Sequence, residues 1–95
     1  QNKNLWSRRI AIIATLYFIR NNQHQETLAL TQKLLGDKED LIHKACGWML
    51  REVGKRDVKI LKNFLQNNIK KMPRTMLRYA IERFPEQERK FYLHL

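Results

Sequence analysis

The 95 residues allow one domain with a modest core for its surface, and 43% hydrophobic with 29% charged residues excludes a disordered chain. Lysine and arginine number 19 against 9 acidic residues, a formal net charge of +10 that draws polyanions, nucleic acid first and an anionic membrane surface second. One cysteine, Cys46, excludes an internal disulfide and suits a reducing compartment; the longest apolar run, residues 10–19 with Thr15 inside it, is far short of the ~20 a bilayer needs.

Six helices are predicted in chain order. Asn4 is an N-cap candidate for the first, residues 5–19, which is apolar nearly all round and therefore expected between neighbours. After a polar break at 23–25, the second covers 26–35, buries Leu28, Leu34 and Leu35, and stops at Gly36. The third covers 39–53 and ends at Gly54. Asp57 caps the fourth, 58–67, with Val58, Leu61, Phe64 and Leu65 inward and Lys59 and Lys62 in water. Pro73 opens the fifth, which runs to about 84, and Pro85 opens the last, with Phe91, Tyr92 and Leu95 inward.

The third helix carries the sharpest pattern. At about 100° per residue, Lys44, Trp48, Arg51 and Lys55 fall within a wedge of about 60°. Ile42, Cys46, Met49 and Val53 fall opposite, on the core side, so Cys46 reads as packing. A tryptophan set among cations suits a partner with both phosphates and flat rings; the competing reading is an indole filling a helix seam. Arg9 shares its helix face with Leu5, Ile13 and Leu16, so it needs an anionic partner, either an internal carboxylate or a phosphate. Arg8, about 100° away, can exchange roles with it. Arg74 and Arg78 lie one turn apart on a helix opened by Pro73, a phosphate seat or else a solvated face with Arg78 paired to Glu82.

A cation followed closely by alanine recurs at Arg9, Lys44 and Arg78, steps of 35 and 34 residues on the first, third and fifth helices. Two helices per step is the pattern of stacked antiparallel pairs. The expected fold is all-α, an α-α superhelix of about three HEAT-like pairs. Its concave face would present Arg9, Lys44, Trp48, Arg51, Arg74 and Arg78. His24, His43 and His94 are scattered without partners at ligand spacing, and there is no glycine-rich phosphate loop, so no metal and no cofactor are expected. Glu39/Asp40 and Glu86/Glu88 sit at helix starts, where they complement the dipole.

Three motifs carry a resemblance: Trp6-Ser-Arg-Arg-Ile-Ala-Ile12, Lys44-Ala-Cys-Gly-Trp-Met-Leu-Arg-Glu-Val-Gly-Lys-Arg-Asp57 and Met72-Pro-Arg-Thr-Met-Leu-Arg-Tyr-Ala-Ile-Glu82. Together they resemble the C-terminal part of the DNA alkylation repair enzymes, the AlkD-type HEAT-like-repeat DNA glycosylases. The resemblance implies a basic concave groove that holds duplex DNA and the release of N3- and N7-alkylated purines. It assigns a groove arginine to Arg9, with Arg8 as the alternative, and a groove tryptophan to Trp48. The family's catalytic carboxylate, in an upstream Trp-Asp-x-x-Asp-type motif, has no counterpart here, because Asp37, Asp40 and Asp57 belong to other motifs. No catalytic residue is therefore expected in this chain. A chain beginning with Gln is read as a C-terminal piece of a longer protein, one HEAT-like domain over residues 1–95. Its partner would be duplex DNA containing alkylated bases, with no membrane, self-association through the greasy N-terminal helix, and a cytoplasmic (in a bacterium, nucleoid-associated) location. The alternatives are a non-catalytic DNA-binding HEAT-like scaffold and a protein-binding helical repeat.

Overall fold

Ile42, Ala45, Cys46, Met49, Leu50 and Val53 recur at alternating steps of three and one residues that close on one side of a helix. In the computed structural model, which describes residues 4–95, that helix runs Asp40–Arg56 and all six side chains are buried. The elements are α1 Leu5–Ala14, α2 Leu16–Arg20, α3 Gln25–Leu34, α4 Asp40–Arg56, α5 Val58–Asn68, a 3₁₀ turn Ile69–Lys71, α6 Arg74–Ala80 and α7 Glu86–Leu93. Among the described residues there is no strand, and the arrangement is compatible with an α-helical superhelix. Helix α4 touches α1, α2, α3, α5 and α6, so the core is wrapped around it. The shortest extent is 18 Å, room for about two helix layers.

Local chemistry sets the boundaries. Asn4 Oδ1 accepts from the amides of Trp6 at 2.8 Å and Ser7 at 3.2 Å, which caps α1. The expected first helix is two, because the Thr15 hydroxyl donates to the Ile12 carbonyl at 2.6 Å and interrupts the regular ladder. Asn22 closes α2 in the left-handed region, φ 59°. The Asn22 amide donates to Ile19 and the Gln23 amide to Phe18, a pairing that satisfies the last carbonyls of α2. Gly54 does not end α4, which continues to Arg56; Asp57, extended at φ −153°, ends it and then caps α5 through the Lys59 amide.

Several expected faces turn out differently. Trp6, Ile10 and Tyr17 are well exposed, so the N-terminal helices pack on one side only and are not sandwiched. On α3 the fully buried residues are Thr27 and Thr31, one turn apart, whereas Leu28 and Leu34 are half-buried and Leu35 is buried. Val58, at the first turn of α5, is exposed at the edge of a hollow it shares with Gly54 and Phe84, while Leu61, Phe64 and Leu65 are buried. Lys62 is half-buried, paired to Glu88 at 3.2 Å and lying over the Phe84 ring. Helix α6 stops at Ala80, short of residue 84. On α7 Tyr92 and Leu93 pack against the core, Tyr92 edge-on to Phe84 with centroids 5.6 Å apart; Phe91 and Leu95 are exposed because an eight-residue helix packed on one side covers one face.

One close approach matters for the site. A Cβ on Gly47 would stand 2.5 Å from the Tyr79 Cβ and 2.6 Å from the Met76 carbonyl oxygen. The glycine lets the α6 backbone lie directly on α4, which carries Tyr79 to the side of α4 where Trp48 stands.

Candidate nucleic-acid interface

Leu41, Lys44, Ala45, Trp48 and Arg51 follow one another at helical spacing along α4, and they line a hollow of about 220 Å³. Arg9 reaches it from α1 and Tyr79 from α6. Trp48 is half-buried: part of the indole packs on the core and part faces the hollow. No carboxylate lines it, although two approach the rim. Asp40 pairs with Lys44 at 3.4 Å on the α4 surface, and Glu82 pairs with Arg51 across 31 residues.

The two adjacent arginines of α1 have different fates. Arg8 Nε donates to Asp37 Oδ2 at 2.8 Å and its Nη2 lies 3.4 Å from Oδ1, with side chains only 18% and 10% exposed. Burial pushes the Asp37 pKa up, but the Glu39 amide and the Arg8 guanidinium outweigh it and hold the carboxyl below its usual range. Arg8 thus pins α1 to the turn before α4. It does not exchange roles with Arg9, which faces the hollow and has no ion pair among the described residues.

Arg74 and Arg78 are exposed on α6 and outside the hollow's lining. Arg78 does not take Glu82, because that carboxylate is held by Arg51. Burial pushes the Cys46 thiol up to about 12, the nearby Thr31 hydroxyl pulling the other way, so it packs and does not react. Two lining features escaped the sequence reading, Tyr79 and, beside the Arg51–Glu82 pair, Arg83. A mid-helix glycine next to Trp48 was the available signal for Tyr79, since such a residue marks a backbone crossing.

Residues 1–84 match the family model described as DNA alkylation repair enzyme. The chain belongs to the DNA alkylation repair enzyme family. All three motifs lie inside the matched span, and only α7 falls outside it. No curated protein and no solved structure matches the chain. In this DNA alkylation repair family member no described helix is long and apolar enough to cross a membrane.

Proposed function

We propose that this chain is the DNA-facing part of an alkylpurine DNA glycosylase, a HEAT-like superhelix of about three helix pairs whose hollow on α4 receives duplex DNA at an N3- or N7-alkylated purine. The observation that carries the reading is the pairing of an unmatched guanidinium, Arg9, with a half-open indole, Trp48, in one hollow. An alkylated purine is a cation, and the negative face of an indole attracts a cation by about 0.5–2 kcal/mol depending on desolvation. Arg9 and Lys44 would hold the flanking phosphates, which fix register without reading sequence. The exposed Arg74 and Arg78 would extend the same field along the backbone.

Cleaving an N-glycosidic bond builds positive charge on the sugar, and a nearby carboxylate stabilises it. The hollow's lining contains none. The chain by itself therefore binds and does not excise, the acid coming from outside these residues. That same lining favours the second reading, a DNA-binding scaffold without chemistry.

Fluorescence anisotropy with a duplex carrying 7-methylguanine tests the proposal. Binding should weaken steeply with salt, Arg9→Ala should cost about tenfold, and Trp48→Ala should cost about three- to tenfold, mostly on the alkylated duplex. Release of the methylated base, followed by chromatography, should be absent. No duplex binding at low salt, or excision by the chain alone, overturns the assignment.

A further inference from the structure

The C-terminal end of α4 faces a second, polar hollow of about 550 Å³, lined by Arg51, Lys55, Glu82 and Arg83. Three cations around one carboxylate is the arrangement of an anion site that is already filled. We propose that Arg51, Lys55 and Arg83 form a seat for a phosphodiester of bound nucleic acid, and that the Glu82 carboxylate occupies it until the phosphate displaces it. The proposal rests on the nucleic-acid reading above.

The burial of the two partners supports an exchange. The Arg51 side chain is only 22% exposed, whereas Glu82 is 62% exposed on the turn after α6. An ion pair with one partner so exposed is weak, so the carboxylate swings into water at little cost while the more buried guanidinium stays in place. A phosphodiester then offers Arg51 two oxygens in the geometry a guanidinium matches. Arg83 has no ion-pair partner among the described residues. Lys55 is paired to Glu52 only through a surface contact at 3.3 Å.

Position favours a nucleic-acid strand over a free anion. Arg51 lines both this hollow and the one holding Trp48, so the seat lies one step along α4 from the indole. A strand with its base at Trp48 has its next phosphates on that path. Glu82 is then a gate on Arg51: ligands without a backbone phosphate at that spot leave the pair closed.

Duplex affinity measured by anisotropy from about 0.05 to 0.3 M salt decides it. Glu82→Gln should tighten binding about three- to tenfold and steepen the log–log salt slope by about 1. Glu26→Gln, which adds the same charge on exposed α3 away from the seat, should change affinity less than about twofold. Adding Arg83→Ala to Glu82→Gln should return affinity to wild type or below. Competition with millimolar inorganic phosphate should weaken Glu82→Gln and Glu26→Gln alike; selective loss in Glu82→Gln would mean a free-anion site and overturn the strand assignment. A Glu82→Gln variant that binds no tighter than Glu26→Gln overturns the seat while duplex binding itself stands. If neither wild type nor Glu82→Gln binds duplex, the nucleic-acid reading falls and the seat with it.

Discussion

Gly47→Ala puts one methyl group where α4 and α6 touch. The new Cβ would meet the Tyr79 Cβ at 2.5 Å and the Met76 carbonyl oxygen at 2.6 Å, both below any ordinary contact. One obstacle is backbone and the other a Cβ fixed to it, so relief requires α6 to move off α4. Overpacking of this kind costs about 1–3 kcal/mol, against which an alanine in mid-helix returns about 1 kcal/mol. Because both obstacles are fixed to the backbone, the upper part of that range, about 2–3 kcal/mol, applies, and the net loss is about 1–2 kcal/mol, lowering Tm by roughly 5–15 °C for a domain of this size. Gly54→Ala is the internal control. Its Cβ would meet Leu61 Cδ2 at 2.5 Å, the far end of a flexible side chain, so the helix-propensity gain should leave stability within about 1 kcal/mol of wild type. Thermal and urea melts followed by circular dichroism read both variants. A Gly47→Ala protein as stable as wild type refutes the close-approach argument, and so does a Gly54→Ala protein that loses as much.

The Arg8–Asp37 pair predicts a pH effect. A carboxyl whose folded pKa lies below its unfolded value adds stability that is complete above the unfolded pKa, about 4, and lost as pH falls through the folded one. Asp37→Asn should therefore lower stability at pH 7 by about 1–3 kcal/mol and flatten the acid limb of a Tm-against-pH curve; an unchanged limb assigns the acid sensitivity elsewhere. At Cys46, a buried thiol raised to about 12 should resist a thiol-reactive dye at pH 8 and label only as fast as the protein opens, so prompt labelling in native buffer contradicts the burial.

The face of α4 was legible because a helix wheel is local geometry. Lys44, Trp48 and Arg51 line one hollow and Ile42, Cys46, Met49 and Val53 are buried away from it, as their spacing requires. The caps at Asn4 and Asp57 were legible for the same reason, each being a side chain bonded to amides two or three residues on. The family could be read from the motifs, since they lie within the matched residues.

What an element meets across space was not legible. Leucines on α3 and isoleucine and tryptophan on α1 look like core, yet Thr27 and Thr31 are the residues α3 buries completely, and Trp6 and Ile10 face outward. Hydrophobicity orders candidates for burial, but the neighbouring helix decides which face is covered. The charges follow the same logic: Arg8 and Arg9 are chemically identical, and only Asp37, 29 residues on from Arg8, takes one and leaves the other facing the hollow. Glu82, four residues from Arg78, pairs instead with Arg51, 31 residues away, because the packing of α6 on Gly47 brings that guanidinium closer. Sequence by itself determined the helical class, the caps at Asn4 and Asp57, the charge and the family; tertiary packing alone decided which cations stay unpaired, since ion-pair choice depends on distances that no single helix sets.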